Sequence, residues 1–553
     1  MSSVALKLLL PKWTKRVVTD MGGRDPLGLS RVAFMITDYL LTGIITTTDR
    51  ARYYSFYCWV LWHIEKEDQP RKYQDFVNSF RRREATMALA TLAANPSTSP
   101  VGVEATRKYF DSGTETGSFD CDFKVLPSNP LGGYGQYYAG SIYNLKLIHR
   151  TEDGIDHVTE GGEELAQLFQ SALVSTPYLK RRLFQEKEIL ATDLTKSSRF
   201  LTLDALAEDF AADERKHLTK LFFGLAEDHK DNETILRRYT LVQLIHLINE
   251  YEINGHEVIA DRGFRLDEYL LYPMYYGHLW PEENKIIPYK GPKELSLCSS
   301  LWRQFCLHQF VCRALEDLLC GVLETAGSQH LGVTVEEIAA LLAQDDFVSF
   351  LESASGKKCD TPKGLLSALR INELPNEIFS TEFQRDLSPK HKLSEARILH
   401  LEVDNPQRQA ARAVLLLAVV YGRWRGVTSD IAFRYVAQQA GTQLWAGNLL
   451  HTLDQWLSPD LTWKEALKPI IEAFVIDQHD QIMYEKRRLD SSWLNRTGGK
   501  VFKEQDYEPV WRASRFLNCV RIMVDLGLLR IDTERAVSTT ASGRRLIEKL
   551  VQQ

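Results

Sequence analysis

This chain of 553 residues predicts a mainly α-helical fold, a multi-domain helical scaffold carrying two small helix–hairpin–helix modules. Three observations predict it. Apolar residues recur mostly at intervals of three and four, as in LVQLIHLI, FVCRALEDLLCGVL and AVLLLAVVYGRW, the period of helices that bury a face. Alternating segments are few and lie beside glycines. One pattern also occurs twice at a constant offset of 381 residues: NLKLIHRTEDGIDHVTEGGEELAQLF (Asn144 to Phe169) aligns without a gap to DLGLLRIDTERAVSTTASGRRLIEKL (Asp525 to Leu550).

Clusters of proline, glycine and polar residues punctuate the chain at TLAANPSTSPVG (Thr91 to Gly102), WPEENKIIPYKGPKE (Trp280 to Glu294) and SASGKKCDTPKG (Ser353 to Gly364). With domains of roughly 100–200 residues as the usual size, the length suggests three or four units sharing a scaffold; the breaks and the two modules divide the chain into five segments. They are an N-terminal helical domain (1–95), an acidic module (96–175), a central helical domain (176–350), another helical domain (351–480) and a basic C-terminal module (481–553).

In the first unit, DRARYYSFYCWVLWHI (Asp49 to Ile64) sets six rings behind two arginines. Thr46, Thr47 and Thr48 offer caps for a helix here. At helical spacing Tyr53, Tyr54, Phe56, Tyr57, Trp59 and Trp62 surround the whole axis, whereas a platform for stacking bases needs its rings on one exposed side. A buried helix is expected. Cations at a helix start need an anion, so Arg50 and Arg52 are expected to hold either an internal acid, Asp25 or Asp38, or a phosphate. The segment Gly22 to Trp59, with its Leu-Leu-x-Gly-Ile turn and Arg-Ala-Arg-Tyr-Tyr run, resembles a group of uncharacterised bacterial proteins that accompany phage-defence and mobile-element genes. The resemblance implies a setting in antiviral defence and brings no catalytic residues with it.

The two modules share Leu145/Leu526, Leu147/Leu528, Thr159/Thr540, Gly162/Gly543 and Leu165/Leu546. Each reads as a helix (134–148 and 511–529) ending in Leu-x-Leu, two extended segments, and Thr-x-x-Gly-x-x-Leu opening another helix, with the threonine as cap and the glycine allowing close approach. This arrangement resembles the wing of winged-helix domains, particularly regulators of the MarR type, and implies two winged-helix-like modules. Their charges differ. Pro509 to Lys549 carries eight basic and four acidic residues, whereas Tyr134 to Phe169 carries two basic and six acidic. Phosphate attraction supplies much of DNA affinity, so the C-terminal module is expected to engage double-stranded DNA and the first to pack or bind protein. With Phe516, Val520, Met523 and Leu526 inward, Arg515, Asn518 and Arg521 are expected on the open face, Arg530 and Arg535 on the wing, and Arg544 and Arg545 on the next helix.

Other clusters carry weaker chemistry. Cys298, Cys306, His308, Cys312 and Cys320 crowd together, but zinc needs four convergent ligands and uninterrupted helical periodicity scatters these, so a core helix with a satisfied histidine and no metal is expected. Asp111, Asp122 and Lys124 have the content of a magnesium-dependent nuclease and form the enzymatic alternative. His479, Asp480, Tyr484 and Lys486 read as the solvated face of a helix, with Lys486, Arg487 and Arg488 extending the basic region. There is no Gly-x-x-x-x-Gly-Lys-(Ser/Thr) loop, and no cofactor is expected. A net charge of -6 opposes a protein that coats DNA along its entire surface. The short apolar run before Pro11, the unpaired spacing of eight cysteines and the brevity of Ala413 to Tyr421 against the roughly 20 apolar residues of a membrane span place the chain in the cytoplasm. The expected function is a non-enzymatic DNA-binding or adaptor subunit working with an ATPase or nuclease partner; the alternatives are the nuclease and a purely structural scaffold.

Overall fold

The computed structural model describes residues 25–151, 154–225, 231–261, 265–279, 287–371, 393–426, 430–486 and 492–551. The short apolar run before Pro11, the first residues of the Gly22 segment, part of the second linker, and Arg487 and Arg488 lie outside the described residues.

Helices dominate, and the five sheets among the described residues are small, of two or three strands each. Two helices organise the interior because each is apolar on nearly every side. The aromatic helix, Arg52–His63, is buried along its length except for partly exposed Trp62. Phe56 and Trp59 pack on Phe169 of the helix Glu160–Leu173, with ring centroids 5.7 and 5.3 Å apart. Its polar tips are satisfied as buried aromatics require: the Tyr54 hydroxyl donates to the Gly43 carbonyl at 2.7 Å, the Tyr57 hydroxyl to Glu84 at 2.8 Å and the Trp59 indole to Gln170 at 3.0 Å. The rings are core and offer no platform to a base.

The long helix Ser296–Gly327 runs for 32 residues against the helices Pro406–Trp424, Arg265–Tyr276 and Ser30–Leu40. Its cysteines are buried free thiols, and burial pushes Cys298, Cys312 and Cys320 up to about 12. His308 sits 2.8 Å from the Leu29 carbonyl, and burial lowers it to about 4, so it is neutral. Asp317 takes two hydrogen bonds from Arg412 at 2.8 and 2.9 Å.

The duplicated pattern folds in duplicate. Ile148–Arg150 pairs antiparallel with Asp156–Val158, and Leu529–Ile531 pairs with Ala536–Thr539; Ile148 faces Val158 just as Leu529 faces Thr539, 381 residues on. Before each hairpin a left-handed residue ends the helix, Lys146 at φ 61° and Gly527 at φ 71°. The amides of Leu147 and Leu528 then reach back five residues, to the carbonyls of Ile142 and Met523, as in a Schellman ending. After each hairpin the threonine accepts from the glycine amide, Thr159 from Gly162 at 3.3 Å and Thr540 from Gly543 at 3.1 Å.

Within the two modules, sequence and structure part at both leading helices. The helix expected over 134–148 is a π-turn, Tyr134–Tyr138, running into Ala139–Asn144. The helix expected over 511–529 starts only at Phe516. Residues 510–514 stay outside it because the long helix supplies their partners: the amides of Val510 and Arg512 donate to Glu316 and Gln309 at 3.1 Å each. The C-terminal hairpin also gains a third strand, Val258–Ile259, which no local pattern announces.

Candidate interface of the C-terminal unit

The C-terminal unit pairs five of its arginines, Arg512, Arg515, Arg521, Arg535 and Arg544, with acids of other segments. Arg515 was expected on an open helix face; it precedes the helix in the left-handed region, at φ 70°, and is 6% exposed. It donates to the Ile44 carbonyl at 3.0 Å and to Asp38. Its partner therefore comes from inside the chain, because a left-handed residue at the helix start turns its side chain back toward the Ser30–Leu40 helix. Arg521 is one-third exposed and pairs with Asp49 at 2.6 Å, while the Asn518 amide donates to the Thr46 carbonyl at 3.2 Å. Arg512 is buried against Glu316 at 2.6 Å and Asp25 at 3.6 Å.

On the hairpin and the last helix, Arg535 pairs with Asp261 at 3.3 Å, and Arg544 pairs with Glu252 at 3.3 Å, also donating to Asn249. Arg530 and Arg545 are exposed, and so is Lys549; three exposed acids, Asp532, Glu534 and Glu548, accompany them. The local excess of positive charge read from the sequence is thus balanced by acids that lie hundreds of residues away. Reading the segment alone hides this, since no spacing signal links Arg515 to Asp38 or Arg544 to Glu252.

Arg50 and Arg52 hold internal acids, but other ones than Asp25 and Asp38. Arg50 bridges Asp204 at 2.7 Å and Asp525 at 3.0 Å, and Arg52, 0% exposed, pairs with Glu214 at 3.3 Å. Asp25 and Asp38 serve Arg512 and Arg515 instead.

Of the nuclease alternative, Asp122 is engaged by Arg81 at 2.6 Å and Arg82 at 3.4 Å, which neutralise the charge a metal ion would need; Asp111 and Lys124 are exposed. Among the described residues no three His, Cys, Asp or Glu side chains converge as a metal site would require. His479 corrects the solvated-face expectation. It is 0% exposed, with Nε2 3.3 Å from the Ser492 hydroxyl and 3.4 Å from the Trp493 amide, because the hairpin Leu494–Thr497/Lys500–Lys503 brings Trp493 over it. Tyr484 is exposed as expected, and the Lys486 ammonium reaches the Asp25 carbonyl at 2.7 Å.

No described helix is long and apolar enough to cross a membrane. Comparison with protein-family models, with curated proteins and with solved structures finds no match to this chain.

Proposed function

We propose that the protein is a non-enzymatic adaptor subunit, a helical scaffold that joins partner proteins and uses its two winged-helix-like units for packing and protein contact. One observation carries this reading: the C-terminal unit commits Arg512, Arg515, Arg521, Arg535 and Arg544 to carboxylates of other segments. Buried Arg512 and Arg515 cannot turn to a phosphate without stranding their acids, and at exposed Arg535 and Arg544 the neighbouring carboxylate offsets the charge a phosphate would meet, so these groups add little DNA affinity. The resemblance of Gly22 to Trp59 to defence-associated proteins supports an ATPase or nuclease as partner, and eight buried free thiols suit a reducing cytoplasm.

A second reading, duplex DNA contact, retains the support of exposed Arg530 and Arg545. Titration of the chain with duplex DNA over a range of salt separates the two. If the exposed cations of the 509–549 segment outside its ion pairs among the described residues, Arg530, Arg545 and Lys549, carry the contact, log K should fall with log salt at a slope no steeper than about -3. The products of neighbouring genes should co-elute with the chain in the absence of DNA. A slope near -6 that Arg530→Ala/Arg545→Ala flattens would replace the adaptor by a DNA-binding subunit. Magnesium-dependent cleavage abolished by Asp122→Asn would replace it by a nuclease.

A further inference from the structure

The two duplicated hairpins are built alike and completed differently. Each leans on a buried helix, Arg52–His63 beside the first and Asn232–Ile253 beside the second. After Asn232–Ile253 the chain turns at Gly255, left-handed at φ 75°, and returns as the strand Val258–Ile259 on the outer edge of Ala536–Thr539. After Arg52–His63 it turns at Gln69, left-handed at φ 43°, and enters the helix Tyr73–Ala94 instead. Among the described residues no strand pairs with the outer edge of Asp156–Val158, which is partly exposed at all three positions.

The register shows what that edge offers. Bonded and non-bonded positions alternate along an antiparallel pair. With the Thr159 amide on the Leu147 carbonyl at 2.9 Å, His149 and His157 face each other at a bonded position, so the amides of Asp156 and Val158 point away from the partner strand. At the equivalent positions 381 residues on, Val537 lies opposite Val258 and the Thr539 amide donates to Glu252 at 3.1 Å. Among the described residues the Asp156 and Val158 amides have no such acceptor. A sheet edge with unmet backbone groups is a place where a further strand can add.

The surroundings say which kind of strand. Between the hairpin and the end of the aromatic helix lies a cavity of about 360 Å³, with Trp62, Glu65, Lys66, His157 and Glu163 in its wall. Two carboxylates there meet one ammonium. Glu163 accepts from neutral donors, the Trp62 indole at 3.0 Å and the Gln167 amide at 3.2 Å, and Glu65 lies 3.5 Å from His157. Alternate side chains of an added strand would reach this cavity, where a lysine or arginine can lay its stem on Trp62 and its charge between the acids. The intervening side chains would continue the opposite face, which carries buried Ile148 and is therefore apolar. A second copy of the chain would bring the same excess of acid, two basic against six acidic residues from Tyr134 to Phe169, and like charges across a sheet pair destabilise it. We infer that the outer edge of Asp156–Val158 takes an extended segment of a partner protein, basic and apolar by turns, as Val258–Ile259 completes the twin hairpin. This rests on the adaptor reading and names how that adaptor holds a partner.

Fluorescence anisotropy of the full chain with the labelled peptide Arg-Val-Lys-Val-Lys-Val tests the proposal. It should bind about tenfold or more tightly than its counterpart with glutamate in place of each cation, and than one whose central valine is proline and lacks the amide donor. Saturation with the basic peptide should slow deuterium exchange about tenfold or more across residues 155–159 of the wild-type chain. Val158→Pro removes an outward amide, a change edge strands accommodate, and should weaken binding about tenfold. Glu65→Lys, at a side chain 54% exposed, spares folding if Val158→Pro does not, and should weaken it about fivefold or more. Failure of the basic peptide to bind at about 1 mM, or protection that falls outside residues 155–159, overturns the inference. Equal binding of the acidic peptide overturns the basic assignment, and equal binding of the proline peptide overturns strand addition. Co-elution of neighbouring gene products undiminished in Val158→Pro and Glu65→Lys overturns this edge as the docking site and leaves the adaptor reading standing. Peptide binding at the edge with no co-eluting gene product supports the edge and sinks the adaptor reading.

Discussion

Arg423 donates to both oxygens of Glu395 at 2.8 and 3.0 Å, and the hydroxyls of Tyr275 and Tyr276 complete the carboxylate's shell at 2.8 and 3.1 Å. Both charges are essentially sealed from water, so the arrangement is stable only while it is complete. Arg423→Ala leaves a buried carboxylate without its cation and should cost about 3–5 kcal/mol in urea unfolding; a loss below about 1 kcal/mol would mean that water reaches the pair. Glu84 illustrates a different balance. Burial pushes its carboxyl up to about 7, while hydrogen bonds from the Tyr57 hydroxyl and the Gly133 amide pull the other way. A carboxyl raised in the folded state holds a proton that the unfolded chain has lost. Its stabilising contribution is therefore present below the ordinary value of 4.5 and is lost as pH rises to about 7. Asp267, pushed up to about 7 by burial, slopes the same way, while His63 and His308, lowered from 6.5 to about 3 and about 4, slope oppositely in windows that overlap it. The readout is thus the difference between variant and wild type. Glu84→Gln should gain stability relative to wild type, by about 3 kcal/mol, between pH 4.5 and 7. Parallel stability curves for the two proteins would show that Glu84 keeps the same protonation folded and unfolded.

At the scale of elements, the hairpin repeat shows what a single sequence reveals and what it hides. Five identities at one offset marked it, and the structure gives the physical reason for each punctuating position. A Cβ on Gly162 would stand 2.1 Å from the Leu147 carbonyl oxygen, and one on Gly543 would stand 2.3 Å from that of Leu528. Those carbonyls cannot swing aside, because they accept from the amides of Thr159 and Thr540. Gly162→Ala and Gly543→Ala should each destabilise by about 1–3 kcal/mol in thermal or urea unfolding, and Thr540→Ala by about 1 kcal/mol through the lost cap. Unchanged stability in both glycine variants would remove the close approach as the reason for the motif. The aromatic helix was equally legible, since rings on every side of a helical period have nowhere to go but inward. The unhelical stretch 510–514 was not, because its amides find Glu316 and Gln309 about two hundred residues earlier in the chain. The third strand at Val258–Ile259 was hidden for the same reason.

Over the whole molecule, the same distance in sequence concealed what the charges do. Arg515 and Asp38, or Arg521 and Asp49, are ordinary surface residues to any local reading, and only the fold turns them into clasps between the two ends of the chain. The C-terminal unit is consequently expected to act as part of the core and not as a detachable module. Phe516 packs on Trp302 with ring centroids 4.5 Å apart, Ala536–Thr539 adds to the strand Val258–Ile259, and Arg512 is the cation of fully buried Glu316. A chain ending at Pro509 would expose this apolar seam and strand edge, leaving Glu316 without its arginine and Arg50 without Asp525. Stranding fully buried Glu316 alone costs about 3–5 kcal/mol, comparable with the whole stability of about 5–15 kcal/mol of a native domain, while Arg50 keeps Asp204. The truncated chain should therefore lose its cooperative thermal transition and aggregate on size exclusion at concentrations where the full chain does not. A mobile DNA-reading appendage predicts the opposite, a truncated chain that stays folded with its melting temperature within a few degrees of the full protein and loses only DNA affinity. Differential scanning calorimetry on the two chains, with duplex titration alongside, decides between a fastening unit and an appendage.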